Sequence, residues 1–271
     1  MSCQYETITF PASRVATFDV GRIGRKKHHV AALLEIDVTA ARAGIKAQIK
    51  AGRPIGFTAW FLQVVGRTVA GHTAVHAINW RGRRQVRFRD VDIALPIERL
   101  VDGVRVPLVT LIRGAQAKTI DAIAAEINKA KTQPVNSEKD FVLDRAATPG
   151  GNWIFYRLPQ WVRLIVWQIL LGNPFVRKDT MGTVMVTSIG LSGKAPAWII
   201  PKSLHNLCIG VGTIAKKPWV VGNAVVVRDI MQLTILFDHD VVDGLPAARF
   251  TDALVRNIQA AAGLGFNPAD D

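Results

Sequence analysis

The sequence predicts an α/β domain, and three observations carry that reading. First, 49% of the 271 residues are apolar and 20% charged, with Gly and Pro scattered, which suits a chain able to bury a substantial core. Second, short runs rich in β-formers alternate with longer runs whose apolar residues recur at helical spacing. Third, the stretch Leu233 to Leu254 reads as a strand, a tight turn and a helix in direct succession.

In chain order, an irregular start leads to a strand over Val30–Val38, after which Asp37-Val38-Thr39 opens a surface helix over Ala40–Ala51. Pro54-Ile55-Gly56 breaks it. Phe57–Ala70 spaces Trp60, Phe61, Val64, Val65 and Thr68 as a well-buried helix does. Ile78-Asn79-Trp80 and Val86-Arg87-Phe88 flank Arg81-Gly82-Arg83-Arg84, the pattern of a hairpin with a basic tip. Val91–Pro96 and Val104–Ile112 are strands separated by Asp102-Gly103, and Thr119 caps a helix from Ile120 to about Lys131. Near the end, Leu233-Thr234-Ile235-Leu236-Phe237 runs into Asp238-His239-Asp240, and Asp243-Gly244 turns. Pro246 then fits the first turn of a helix, where its missing N–H costs nothing. An imidazole thus stands on a loop clamped between a strand and a helix.

The formal net charge of +13 favours an anionic partner. The cations cluster at Arg22-Arg25-Lys26-Lys27 and at Arg81-Arg83-Arg84-Arg87-Arg89, without zinc-finger spacing or aromatic interleaving, so nucleic acid is not expected. Cys3 and Cys208 show neither metal nor redox spacing, and no metal is expected. The start, MSCQYETITF, lacks the basic and apolar regions of a signal peptide, and no apolar run is long enough to span a bilayer. The expected location is cytoplasmic, with peripheral membrane association as a variant.

The run Asp238-His239-Asp240-Val241-Val242-Asp243-Gly244, continued by Ala247-Ala248-Arg249-Phe250, resembles the H-x-x-x-D-G signature of chloramphenicol acetyltransferase-like enzymes. It looks most like the catalytic domain of the dihydrolipoyl acyltransferases of 2-oxo acid dehydrogenase complexes. The resemblance extends to His29 before Leu34-Glu35-Ile36-Asp37-Val38-Thr39-Ala40, and to Val106-Pro107-Leu108-Val109-Thr110-Leu111-Ile112-Arg113. It continues at Thr119-Ile120-Asp121-Ala122-Ile123-Ala124, Val186-Thr187-Ser188-Ile189-Gly190 and Cys208-Ile209-Gly210-Val211-Gly212. It covers roughly residues 20–132 and 180–262. It implies a chloramphenicol acetyltransferase-like, two-layer (α+β) arrangement, a mixed sheet covered by helices, working as a homotrimer with active sites between subunits.

The implied activity is transfer of an acyl group between coenzyme A and a thiol, most simply a dihydrolipoyl group on another protein. A neutral imidazole suits the acceptor's proton, so His239 is the expected base. The resemblance makes Thr187 the oxyanion donor, with Ser188 beside it. It makes Asp243 a brace for the loop through Arg22 or Arg25, and it places His29 and Gly244 at the substrate. A free-standing acyltransferase acting on a small alcohol or amine is the nearest alternative, and a non-catalytic scaffold of a membrane-associated complex is another.

Three features depart from the family. Asp240 replaces an Arg common after the histidine and reverses a charge, which leaves the acceptor open. Residues 134–180 form an inserted hydrophobic segment within a single catalytic domain spanning 1–271. Its heart, 153–174, contains Arg163 in a helix apolar nearly all round, which calls for a trimer mate or a lipid surface. No lipoyl or subunit-binding domain is recognised, so any lipoyl group is expected in trans, and the acidic ending argues for a trimer rather than a large cubic core.

Overall fold

The computed structural model describes residues 4–7, 12–101, 104–133, 155, 157–188 and 195–265. Cys3, Asp102-Gly103, residues 134–154, Ile189-Gly190 and the acidic ending lie outside them. Helices α1 (Ala12–Gly24), α2 (Thr39–Lys50), α3 (Phe57–Ala70), α4 (Ile120–Thr132), α5 (Gln160–Gly172), α6 (Pro174–Met181) and α7 (Gly244–Gln259) accompany eight strands. These are β1 (His29–Asp37), β2 (Ile78–Trp80), β3 (Arg84–Val86), β4 (Ile93–Val101), β5 (Val104–Ile112), β6 (Val184–Ser188), β7 (Leu207–Val221) and β8 (Ala224–Asp238).

Six strands form one sheet in the order β1-β8-β7-β6-β4-β5, while β2 and β3 make a separate ribbon. Strand β6 runs parallel to both β4 and β7, and the other pairs are antiparallel. The expected mixed sheet is therefore present. Alternation assigns each strand residue to a face. Val184, Val186, Leu207, Ile209, Val211, Leu233, Ile235 and Phe237 enter a core shared with Trp60 and Phe61 of α3, Ile123 of α4 and Phe250 and Leu254 of α7. The intervening Thr187, Cys208, Gly210, Gly212, Gln232 and Thr234 take the opposite face. There the segment around Ala197–Pro201 crosses β7 so closely that a Cβ at Gly212 would lie 2.2 Å from the Ala197 carbonyl oxygen. Only glycine allows that approach.

Local chemistry explains most boundaries. The Thr119 hydroxyl accepts from the Ala122 N–H at 3.2 Å and starts α4 as expected. Asn173 caps α6 through the N–H groups of Phe175 and Val176, with Pro174 following it. Helix α7 begins at Gly244, three residues before the apolar spacing becomes helical in the sequence. Helix α1 was not legible: it replaces the expected irregular start. Strands β7 and β8 run 15 residues each, far beyond the short apolar runs that announced them.

The described part of residues 134–180, expected as an insert, folds as α5 and α6. Arg163, in the middle of apolar α5, is buried and forms a two-pronged ion pair with Asp19 of α1, at 2.7 and 3.0 Å. This pair orients α5 so that Trp161, Ile165 and Ile169, four residues apart, face outward. Among the described residues no helix is long and apolar enough to cross a membrane. A buried charge deprived of its partner costs about 3–5 kcal/mol. Asp19→Ala is therefore expected to lower unfolding free energy by that amount in denaturant titration, with Trp161 and Trp167 reporting release of α5 by fluorescence.

Candidate active site

Strand β8 is buried from Ile230 to its last residue, Asp238, and the next two residues, His239 and Asp240, are exposed. The reversal there is built from Asp238 itself. Its carbonyl accepts from the N–H groups of Val241 and Val242 at 2.9 and 3.0 Å, closing a turn that leads into α7. The His239 N–H is held at 2.9 Å by the His28 carbonyl, one residue before β1 begins. The imidazole is thus carried on a fixed backbone and stands in solvent.

Beneath the turn lies a polar network. The Lys27 ammonium donates to Asp238 at 2.6 Å and to the Asn206 side-chain oxygen at 2.8 Å. The Arg177 guanidinium, from α6, donates to the same Asn206 oxygen at 3.1 Å and to the Leu204 carbonyl at 2.6 Å. The Asn206 amide donates onward to the Ala77 carbonyl. Burial lowers the pKa of Lys27, and Arg177 nearby adds to the effect; burial pushes Arg177 down to about 10, so Arg177 remains a cation at neutral pH.

The outer side is held as well. His28 Nδ1 lies 2.9 and 3.1 Å from the two Asp240 oxygens, and that hydrogen bond raises the His28 pKa. The charge reversal at Asp240 thus has a partner. Asn79 and Gln85, opposite each other in the β2–β3 ribbon, donate to the carbonyls of Asp240 and Val241 at 3.2 and 3.1 Å.

The remaining expected site residues take varied positions. Asp243 is the exposed N-cap position of α7, makes no side-chain cap bond, and has no ion pair among the described residues. The expected brace to Arg22 or Arg25 is therefore corrected. Those arginines line an open cleft of about 730 Å³ between α1 and α5 with Phe18, Arg163 and Lys202, and Lys27–Asp238 braces the loop instead. The physical reason is burial: Asp238, fully enclosed, needs a cation, whereas solvated Asp243 does not. Gly244 is the exposed first residue of α7. His29 is half-buried, its Nε2–H donating to the His205 carbonyl at 2.9 Å.

Thr187 and Ser188 end β6, Thr187 half-buried on the sheet face opposite the helices and Ser188 exposed. Register pairs Thr187 with Gly210, and Gly210 with Thr234. His239 is therefore five residues, about 16 Å, farther along the sheet and two strands, about 10 Å, across it. One chain does not bring Thr187 and His239 together.

Among the described residues no group of three or more His, Cys, Asp or Glu side chains could hold a metal ion. Cys208 is buried, its thiol pushed up to about 12 by burial, and is no nucleophile. Lys27, Arg177, Asn206 and Asp238 were missed in the sequence reading. The one available signal was an Asp closing an otherwise apolar strand with Lys26-Lys27 just before the strand that pairs with it.

Residues 177–265 match the sequence model of the family described as 2-oxoacid dehydrogenases acyltransferase (catalytic domain). The lipoamide acyltransferase component of a branched-chain alpha-keto acid dehydrogenase complex from Pseudomonas aeruginosa is 38% identical over 94 residues, 34% of this chain and 20% of that protein. Its Bacillus subtilis counterpart is 26% identical over 228 residues, 82% of this chain and 44% of that protein. The chain thus spans less than half the length of these curated relatives. A probable dihydrolipoamide acetyltransferase from Listeria monocytogenes shares the fold at TM-score 0.68 and 19% identity, over 97% of this chain and 98% of that one. The cubic core of a pyruvate dehydrogenase complex does so at 0.69 and 19%, over 96% and 94%. A dihydrolipoamide acetyltransferase from Azotobacter vinelandii, studied for the role of a serine, a histidine and an asparagine in catalysis, shares it at 0.68 and 18%, over 96% and 94%. The expected arrangement of sheet and helices is therefore the one present.

Two outcomes test this geometry. Asp238→Ala leaves Lys27 and Arg177 without their anion and is expected to cost about 3–5 kcal/mol in chemical denaturation. Asp243→Ala at its exposed cap position costs no more than about 1 kcal/mol. His205, buried and donating to the Met181 carbonyl at 2.8 Å, has its imidazole pushed down to about 4, chiefly by burial. The unfolded chain takes that proton near pH 6.5 and the folded one does not. Stability present above pH 6.5 is thus lost as pH falls towards 4, by about 3 kcal/mol. Denaturation at stepped pH is expected to show that slope added to a similar one from buried His76, also pushed down to about 4, and His205→Gln to remove only its own share.

Proposed function

We propose, for a chain related to the 2-oxo acid dehydrogenase acyltransferase catalytic domain, by fold throughout and by family signature over residues 177–265, that it transfers an acyl group between coenzyme A and a thiol. The acceptor is most simply a dihydrolipoyl group carried by another protein. The observation that carries this reading is His239, exposed on a turn whose backbone is held from three sides: by His28, by Asp238 and by the β2–β3 ribbon.

The spacing of the site supports it. In the Azotobacter vinelandii enzyme the histidine follows the serine by 52 residues and the asparagine follows the histidine by four. His239 follows Thr187 by 52, and Asp243 follows His239 by four. Thr187 is assigned as the oxyanion donor, with Ser188 beside it, and Asp243 takes the place of that asparagine.

In the proposed step His239 removes the acceptor thiol's proton as its sulfur attacks the thioester carbonyl. A new C–S bond forms, and the carbonyl π electrons move to an oxyanion that the Thr187 hydroxyl stabilises. Collapse of the tetrahedral intermediate breaks the C–S bond to coenzyme A, and the imidazolium returns the proton to the departing thiolate. The cations lining the α1–α5 cleft, Arg22, Arg25 and Lys202, suit the phosphates of coenzyme A. His29, fixed by His205, and Gly244, at the open start of α7, are assigned to the substrate side.

Because register separates Thr187 from His239 within one chain, the site must be completed by a second copy. The single catalytic domain is therefore assigned to a homotrimer with active sites between subunits. The outward stripe of α5, Trp161, Ile165 and Ile169, supplies an apolar face for a neighbouring copy.

Turnover of acyl-CoA with dihydrolipoamide tests the reading. His239→Ala is expected to lower kcat at least about a hundredfold, and Thr187→Val about tenfold or more. Co-assembling the two inactive variants is expected to restore part of the activity, because some interfaces then hold an intact histidine opposite an intact threonine. No restoration would place both groups in one chain and overturn the shared site. Turnover of small alcohols or amines without any of dihydrolipoamide would select the free-standing reading.

A further inference from the structure

The β2–β3 ribbon joins two properties that the proposed chemistry does not use. It touches the catalytic loop directly, and it carries a dense, unpaired positive charge. Asn79 and Gln85 are cross-strand partners, so their side chains leave the ribbon on one face, and both donate to consecutive carbonyls of the His239 loop. From the ribbon's flanks Trp80 and Phe88 meet Phe175 of α6 edge-on at 6.1 and 5.8 Å. The ribbon is therefore anchored at two places and is no free-swinging loop.

Its tip turns on Arg81 and Gly82, both with positive φ; Arg81, Arg83 and Arg84 stand at the tip, and Arg87 and Arg89 follow β3. All five are exposed, and none has an ion-pair partner among the described residues. Arg81 only stacks over the Trp80 ring, at 4.8 Å. Five like charges within nine residues repel one another and gain nothing for folding, so the cluster is a feature to explain. The chain's net charge of +13 deepens the local potential.

Shape separates the candidate ligands. Small anions bind where donors converge in a concave site, and here the exposed arginines are spread from the turn to the segment after β3. Charge spread in that way fits a broad anionic partner. We propose that the β2–β3 ribbon is the docking surface for an acidic carrier domain that presents the thiol acceptor to His239. This rests on the acyl-transfer reading and names the surface by which a tethered acceptor finds the site. The ribbon's grip on the carbonyls of Asp240 and Val241 then fixes the distance between docked carrier and imidazole. Electrostatic steering by such a patch raises association rates about tenfold or more at low salt, and screening removes the gain.

The test compares a reduced, acidic lipoyl domain with free dihydrolipoamide as acceptors, using the whole chain and a triple variant Arg83→Glu, Arg84→Glu, Arg87→Glu. A thermal melt by circular dichroism confirms that the variant is folded. The expected result is a fall of about tenfold or more in kcat/KM for the lipoyl domain, with loss of its salt dependence. Free dihydrolipoamide is expected to stay within about twofold. The triple Lys variant, which keeps the charge, is expected to retain carrier activity. An equal fall with both acceptors would show that the ribbon only props the His239 loop, and no fall with either would remove it from recognition; both overturn the proposal. Stronger binding to an oligonucleotide than to the lipoyl domain at the same ionic strength also overturns it. If the unmodified chain turns over neither acceptor, the acyl-transfer reading fails by itself. Fluorescence anisotropy of a labelled lipoyl domain then decides docking separately: binding lost on charge reversal supports it, and no binding to the unmodified chain overturns it.

Discussion

The contact between Lys27 and Asp238 holds this protein's candidate site in place. Asp238 is fully buried at the end of a central strand, where an unpaired carboxylate is too costly to keep. Its stabilisation comes from Lys27, reached from the residues before β1, whose ammonium also donates to the Asn206 oxygen that Arg177 of α6 holds. Three distant parts of the chain thus meet at one ammonium. The Asp238 carbonyl then makes the turn that exposes His239. A charge in the core and an exposed imidazole are consecutive residues, and the first positions the second.

The sheet decides the rest. Parallel insertion of β6 between β4 and β7 sets Thr187 level with Thr234, far below the end of β8. Side chains alternate, so Thr187 also lies on the face away from the helical core. The close crossing of the chain over Gly210 and Gly212 covers part of that face and leaves Thr187 half-buried. A site that used both groups would therefore draw them from two copies.

Ion pairs to buried carboxylates recur as the device that seats α5 and α6. Asp19 and Arg163 orient an apolar helix that the sequence showed only as a hydrophobic run with one misplaced charge. Lys178 and Asp92 tie α6 beside the ribbon at 2.7 Å, and Phe175 on the same helix receives the ribbon's aromatic residues. Helices α5 and α6 thus support the surroundings of the His239 loop although they belong to the segment read as an insert.

Sequence alone determined the local features: helical periods in α3 and α4, the Thr119 cap, the basic hairpin and the strand-turn-helix around His239. These are written in residues within a few positions of one another, where spacing and backbone preference suffice. It assigned the brace of the loop to Asp243, because the motif contains that residue and its exposure is invisible in one dimension. Tertiary structure moved the brace to Asp238, found Lys27 and Arg177 for it, gave Asp240 a partner in His28 and set Thr187 beyond reach of its own histidine. Each of those outcomes depends on burial or on register between strands far apart in sequence, and both exist only once the chain has folded.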